Sequence, residues 1–470
     1  MWHMSCHEPR FAEGKMVSPR VFNLVVFSLS CVLADSSTKI GYFWHISDIH
    51  LDEDLGTNFS NCWRGPQRPS GKYGDHNCDS SRNLVESAVH AMRQKHGDNV
   101  EFVLWTGDGL SRKSGKTLEQ QIGTLRNLTI LLSAAFSSHF IYPVLGHEDP
   151  ESYTILANLW KLWLPTEALL TFTKGGYYSI EQKVRKLRIV ALNTNLFTNS
   201  SWDQEAEEQW DWLESVLIKS SRNKETVYLV GHVPPGMDER QSRSPHQQRI
   251  LLMPSHNSRY LALVRRFANI ITGQFFGHFH TDSFRIVYDD NDNRPVSTIF
   301  IAPSVTPKRS PNGVNNPGLR LYKFNKDTGQ VLDYNQYYLD LSVANKDEKA
   351  EWTSEYNLTS YYEFKQSTFE PVSAEQMDQL AESFIVPADY DLFYKYYVAN
   401  SVKALQNDAV IPHSTINAHY CAITQIDFSM YHNCLATKYS ALASSKSSKN
   451  QFRNWIGQLI FTLILVSISS

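Results

Sequence analysis

Cysteine is scarce: the chain of 470 residues has six. No free thiolate set is available for a structural zinc site of the all-cysteine kind. Charge of one sign is scarce too, with a formal net charge of −3 and no long basic run. Nothing therefore draws the chain as a whole to nucleic acid, and no nucleic-acid binding is expected. No glycine-rich nucleotide loop and no internal repeat can be read. Nor does any segment read as a spanning helix, which needs ~20 consecutive apolar residues and usually a basic cytoplasmic flank. A composition 42% hydrophobic and 20% charged excludes disordered and collagen-like classes. The length suits one large domain or two of ordinary size with a buried core, and a monomer is expected.

Both ends carry short apolar runs that read as addresses. Arg20 precedes Val21–Leu33, and Val32-Leu33-Ala34 places small or modest residues before a cleavage point. That order is a secretory signal peptide, residues 1–34, with Met16 an alternative start. At the other end, Ala443-Ser444-Ser445, the polar spacer Lys446–Asn454 and the apolar tail Trp455–Ser470 follow one another. Small site, spacer and tail form the signal exchanged for a glycosylphosphatidylinositol (GPI) lipid, so 443–470 reads as a propeptide. The protein is expected outside the cell, secreted or GPI-anchored to the outer leaflet. Cys6 and Cys31 fall in the presequence. The remaining Cys62, Cys78, Cys421 and Cys434 allow three pairings, of which Cys62–Cys78 and Cys421–Cys434 close short loops. Glycosylation sequons occur at Asn58, Asn127, Asn199 and Asn357.

Between the ends, apolar and β-branched runs repeatedly stop at a polar cluster. "IGYFWHIS" precedes Asp48, "EFVLW" precedes "TGD", and "FIYPVL" precedes "GHED". "LRIVAL" precedes "NTN", "TVYLV" precedes "GHVPPG", "IITGQFF" precedes "GHFH", and "STIFIA" precedes Pro303. Such runs bounded by Gly, Pro, Asn or Asp predict buried strands. Helical spacing lies between some of them: Asp203–Ile218 puts Ala206, Trp210, Leu213 and Leu217 on one face, and Tyr260–Phe267 repeats the style. Alternating strands and helices predict an α/β layered fold with sites beyond the strand ends. After about Leu341 the pattern turns polar, then Tyr- and Phe-rich at helical spacing. Residues 342–442 read as a smaller, mainly helical region packed on a core of 35–341.

The polar clusters supply oxygen and imidazole ligands: Asp48 with His50, Asp108, the "GHED" stretch, His232, and His278 with His280. In extended chain, residues i and i+2 project to one side, so each Asp48/His50 and His278/His280 pair can present two ligands together. Mixed carboxylate and imidazole sets suit zinc, manganese or iron. A single strand-end histidine is more often a structural hydrogen-bonder; several such clusters in one α/β chain argue for a metal site.

"DIHLD", "WTGDG", a Gly-His turn, "GHVPPG" and "GHFH", in that order, resemble the calcineurin-like metallophosphoesterases. "FWHISDIHLD", "GGYYS", "ALNTNLF", "ANLWKLWL", "GQFFGHFHTDS", "FIAPSVTP" and "NNPGLR" narrow the resemblance to the acid sphingomyelinase-like phosphodiesterases, from about Gly41 to Cys434. The saposin-like domain of acid sphingomyelinase itself has no counterpart before Tyr42. The resemblance implies an α/β/β/α sandwich and two zinc ions. Asp48, His50 and His280 would hold the first, His232 and His278 the second, and Asp108 would bridge them. Two metals ~4 Å apart can bind a phosphodiester and make a bridging hydroxide available near neutral pH.

One motif departs from the family. Where the family has Gly-Asn-His followed by Asp or Glu, this chain has Gly146-His147-Glu148-Asp149. In the family the Asn binds the second metal, and the His contacts the phosphoryl group and protonates the leaving group. In one register the Asn is deleted and His147 is the catalytic imidazole. In the other, His147 takes the Asn position as a metal ligand and Glu148 replaces the catalytic His, where a carboxylate would repel a phosphate anion unless protonated. His147 is expected to face the metals, Glu148 is the candidate acid, and Asp149 is expected to be structural. "WTGDGLSRKS" also lacks a family His after the bridging Asp; Ser111 and Arg112 lie there instead. The resemblance implies a phosphodiesterase, with sphingomyelin cleaved to ceramide and phosphocholine as the first substrate reading and a nucleotide as the alternative. A cell-surface protein that keeps metal with weak or lost catalysis is the reading from a different class.

Overall fold

A computed structural model describes residues 40–440 apart from 56–70, 98, 112–115, 183–185, 242–250, 309–312, 387–389, 406–410 and 439. The segments expected to be a signal peptide, 1–34, and a propeptide, 443–470, lie outside the described residues, as do Asn58, Cys62 and Arg112.

The strands in chain order are β1 (Ile40–Ile46), β2 (Phe102–Trp105), β3 (Phe140–Pro143), β4 (Tyr178–Gln182), β5 (Leu187–Ala191) and β6 (Thr226–Val230). They continue as β7 (Ile271–Phe276), β8 (Ser283–Tyr288), β9 (Pro295–Ile301), β10 (Gly318–Asn325), β11 (Val331–Tyr338) and β12 (Thr353–Asn357). One sheet runs β12-β11-β10-β1-β2-β3 and the other β4-β5-β6-β7-β9-β8. In the first, β1, β2 and β3 are parallel while β10, β11 and β12 are antiparallel additions. In the second, β5, β6, β7 and β9 are parallel and β4 and β8 close the edges antiparallel.

Alternation along β1 shows how the layers stack. Phe43 points to the other sheet, its ring 5.7 Å from Tyr228 of β6 and 5.3 Å from Phe275 of β7. Tyr42 points the opposite way, onto His96 of helix α1 (Arg82–His96) at 5.0 Å. A strand covered on both faces reads as a continuous apolar run, which is why β1, β2, β5 and β6 were legible as such. Helix α2 (Leu118–Ala135) opens on a capping box, in which Thr117 and Gln120 each satisfy the other's backbone N–H. Its Leu125, Leu128 and Leu132 join Trp44 and Trp105 in one core that also takes in the inner faces of both sheets. After α3 (Tyr153–Trp160) and α4 (Thr166–Gly175) comes α5 (Asp203–Asn223), five residues longer than its predicted stripe. Ala206, Trp210, Leu213 and Leu217 are all buried along it. Trp210 stacks on Phe197 at 4.2 Å and donates to His256 Nδ1 at 3.0 Å, tying α5 to α6 (Pro254–Arg266) in a second core outside the second sheet. Helices, two facing sheets and helices give the α/β/β/α sandwich.

Helices α7 (Leu341–Asp347), α8 (Leu358–Tyr361), α9 (Ala374–Ser383), α10 (Tyr390–Asn400) and α11 (His413–Thr424) follow β11, with β12 between α7 and α8. Helices α9 and α11 pack on β8, and α9 also on β9. A disulfide joins Cys421 of α11 to Cys434; Cys78 is also disulfide-bonded. Asn127 and Asn199 are exposed, while Asn357 is half-buried and uses its side-chain oxygen to cap α8.

Candidate metal centre

Every predicted ligand lies just past the C-terminal end of a parallel strand: β1, β2 and β3 from one sheet, β6 and β7 from the other. Strand ends in α/β sheets are where chain turns are free to carry function. The turns are interlocked by backbone bonds: Asp48 N–H donates to Gly107 O at 3.2 Å, His50 N–H to Asp108 O at 2.9 Å, and Gly277 N–H to His232 O at 3.0 Å.

Extended geometry does not position the paired ligands, contrary to the i/i+2 expectation. Asp48 (φ 50°), His50 (φ 45°), Asp108 (φ 52°), His278 (φ 69°) and His280 (φ 63°) are all left-handed. Such a residue costs roughly 1–3 kcal/mol and persists only where its surroundings over-determine it. The turn after β7 also separates His278 from His280, while Asp48 and His50 stay in one group. His278 joins Asp108, His147 and His232, whereas His280 joins Asp48 and His50, the candidate ligand atoms of each group lying within 4.8 Å of one another.

Asp108 stands at the junction. Its Oδ1 accepts from Glu148 N–H at 2.9 Å. Its Oδ2 faces His147 Nδ1 at 3.0 Å, His232 Nε2 at 3.3 Å and His50 Nε2 at 3.5 Å, the last from the other group. Asp48 is arranged alike. Its Oδ2 accepts from Ser47 Oγ at 2.5 Å and His278 N–H at 2.9 Å, while Oδ1 lies 3.3 Å from His280 Nε2. Asp48 Oδ1 and Asp108 Oδ2 are buried and accept no well-aligned hydrogen bond. Imidazole nitrogens also meet head to head: His232 Nε2 is 3.2 Å from both His147 Nδ1 and His278 Nδ1, and His50 Nε2 is 3.3 Å from His280 Nε2. Ligands about 2.0–2.2 Å from a tetrahedral ion stand roughly 3.3–3.6 Å apart, so the donor set fits metal ions. Outer partners fix the rings: His50 Nδ1 bonds Leu110 O at 2.9 Å and His232 Nδ1 bonds Thr106 O at 2.7 Å, leaving Nε2 for the centre.

The "GHED" turn divides its labour. His147 turns Nδ1 to the centre and Nε2 to Glu148 Oε1 at 3.2 Å. Asp149 turns away from the centre and accepts from three backbone N–H groups: Asp108 at 3.0 Å, Gly109 at 3.0 Å and Gly146 at 2.9 Å. It bolts the turn after β3 to the turn after β2. Burial, then the nearby Asp108 carboxylate, pushes Asp149 up to about 7, against the pull of the Gly146 and Gly109 N–H groups. Replacing Asp149 by Asn turns an acceptor into a donor facing backbone N–H groups. A loss of about 1–3 kcal/mol is expected, read from the chemical-denaturation midpoint. Gly146 cannot carry a side chain here, since a Cβ would lie 2.1 Å from Asp108 Oδ1.

Supporting residues that the sequence did not single out come from "NTN". Asn195 Nδ2 donates to Gly146 O at 2.8 Å, and Thr194 Oγ1 accepts from Val233 N–H at 2.9 Å, so one turn braces both the His147 and His232 loops. A polar triplet at a strand end was the available signal. Ser111 is buried beside the Asp108 loop and takes no place in either ligand group.

Without metal, charge and proton share the site. Burial works to raise Asp108, but His232 and His147 hold its carboxyl well below the usual range. Burial works to lower His147, but Asp108 outweighs it and raises the imidazole to about 10; His232 is raised by the same carboxylate against the same burial. A metal must displace those protons. Metal affinity is therefore expected to rise with pH up to about 10, where His147 loses its proton without help. Calorimetric titration in buffers of different ionisation enthalpy should show proton release on loading.

Residues 41–282 match the family described as calcineurin-like phosphoesterase, and residues 294–441 match the acid sphingomyelin phosphodiesterase C-terminal region. The second match begins before the boundary at 341 and takes in β9 to β12. Acid sphingomyelinase-like phosphodiesterase 3b of Homo sapiens is 34% identical over 84% of this chain and 90% of its own. Cyclic GMP-AMP phosphodiesterase SMPDL3A of Homo sapiens is 34% identical over 85% of this chain and 91% of its own. Sphingomyelinase phosphodiesterase C of Dictyostelium discoideum is 31% identical over 77% and 86%. The family uses a dinuclear metal centre, and this chain has two groups of residues that could hold metal ions, meeting at Asp108. With fold, ligand groups and relatives in agreement, the chain belongs to the calcineurin-like metallophosphoesterases, as a metal-dependent phosphodiesterase of the acid sphingomyelinase-like group.

Proposed function

We propose that this protein is an exported, zinc-dependent phosphodiesterase that cleaves sphingomyelin-like diesters. The single observation behind the reading is Asp108 Oδ2, buried and within 3.5 Å of imidazole nitrogens from both ligand groups. Zinc suits a set of imidazoles and carboxylates at tetrahedral spacing; manganese or iron is the alternative. When bound, the ions supply Lewis acidity to the phosphoryl oxygen and lower the pKa of water enough to make it a nucleophile.

The chain's own residues do the rest. Asp48 and Asp108 balance the charge, and the outer bonds of His50 and His232 keep their Nε2 atoms turned inward. Proton traffic to the leaving alkoxide falls to His147 and Glu148. Burial works to raise Glu148, yet the hydrogen bond and charge of His147 hold it below its usual value. Glu148 Oε1, 3.2 Å from His147 Nε2, orients the His147 ring.

The name of the Dictyostelium relative supports the sphingomyelin reading, and the name of SMPDL3A supports a nucleotide diester as the second. Export is supported by the Val21–Leu33 run and the Cys421–Cys434 disulfide, a bond that persists in oxidising compartments. GPI attachment rests on the order of segments in 443–470 and is tested by release from cells with a phosphatidylinositol-specific phospholipase. For the activity, zinc content is measured on the purified protein, and bis-p-nitrophenyl phosphate, sphingomyelin and a cyclic dinucleotide are assayed across pH. Zinc without hydrolysis of any of the three would sink the catalytic reading. Cleavage of the dinucleotide alone would move the substrate to the second.

A further inference from the structure

His278 and His280 reach the centre from a turn in which two residues of three are left-handed. Much of what holds that turn comes from far along the chain. Asn400, the last residue of α10 and fully buried, grips Asp282, two residues past His280. Its backbone oxygen accepts from Asp282 N–H at 3.3 Å, and its Nδ2 donates to Asp282 O at 3.0 Å. The same Nδ2 donates to Glu239 Oε1 at 2.7 Å, which also accepts from Thr281 Oγ1 at 3.1 Å. Arg240 closes the ring: Nε donates to Asn400 Oδ1 at 2.9 Å, and Nη2 donates to Asn400 O and Asn315 Oδ1, both at 2.8 Å. Asn315 Nδ2 then donates to His280 O at 2.6 Å. The Asn400 amide thus spends its donors and its acceptor on one task.

We propose that Asn400 is a positioning residue of the metal centre. By clamping the backbone at 280–282 it aims His280 Nε2 at Asp48 Oδ1, 3.3 Å away, and makes the C-terminal region a working part of the site. Neither an aliphatic side chain nor an aspartate can replace it: one makes no bonds, and the other sets a second carboxylate against Glu239. The inference rests on the metal reading of the Asp48, His50 and His280 group.

The test compares wild type with Asn400→Ala, Arg240→Lys and Met377→Ala by titrating chelator-buffered zinc and following bound metal, kcat and Tm. Met377 is a buried residue of α9 whose side chain lies in the apolar core, and it serves as the stability control. Asn400→Ala is expected to need at least tenfold more free zinc to fill its last site, with kcat recovering as zinc is added. Met377→Ala should lose Tm with an unchanged zinc curve. Arg240→Lys keeps the charge but loses the fork to Asn400 and Asn315, and should shift in the same direction; it decides the matter if Asn400→Ala does not fold. A variant curve superimposed on wild type overturns the role of Asn400 alone. Wild-type protein that binds no zinc overturns this role together with the zinc reading.

Discussion

Asp108→Asn is expected to lower kcat/KM by about 10³-fold or more, equivalent to roughly 4 kcal/mol of transition-state stabilisation, and to cost the protein bound metal. The asymmetry of this carboxylate makes the variant informative. Oδ1 accepts from Glu148 N–H, a bond that an amide oxygen can keep, so the turn should survive. Oδ2 meets three imidazole nitrogens from two ligand groups, and an amide nitrogen there would repel the cations that the carboxylate would hold. Elemental analysis and steady-state kinetics on a variant with unchanged far-UV circular dichroism check the prediction. Full metal content with near-normal rate would remove Asp108 from the bridging position.

The opposite result, a gain, is expected at the neighbouring turn. Changing His147→Asn and Glu148→His together restores the Asn-His order of the family, with an amide ligand at the centre and an imidazole on the leaving-group side. A well-placed general acid contributes typically 10²–10⁴-fold. Because the turn around Gly146 was shaped for other side chains, a rise in kcat of about tenfold to 10²-fold is expected. Glu148→His alone, leaving His147 in place, should gain less, because two imidazoles then compete for the space now filled by the His147–Glu148 pair at 3.2 Å. Rates on bis-p-nitrophenyl phosphate at saturating zinc decide it; no gain in the double variant would mean that His147 and Glu148 already supply the proton.

Strands buried on both faces could be read from the chain because burial leaves a continuous apolar run, as in "TVYLV". β10 and β11 could not, because their interior carries charge: Arg320 is buried beside Gln336 and paired with Asp282 from the turn before β8. No local pattern announces such a pair. The ligands were legible for a related reason. Each ends a strand, so residue type and position agree before any contact is known. The left-handed backbone at Asp48, His50, Asp108, His278 and His280 was invisible, since nothing in those residue types demands it. Asn400 was likewise hidden, as a lone asparagine acquires its meaning only from partners distant in sequence.

Strand β12 completes the first sheet by pairing with β11 through only a few residues. Without it, the eight residues of β11, including Tyr334 and Tyr337, would form an open edge with unpaired N–H and C=O groups. A chain ended before residue 353 would therefore not be a smaller phosphodiesterase. It would present a sticky border to the next copy of itself, and the short strand that forestalls this doubles as a guard of solubility.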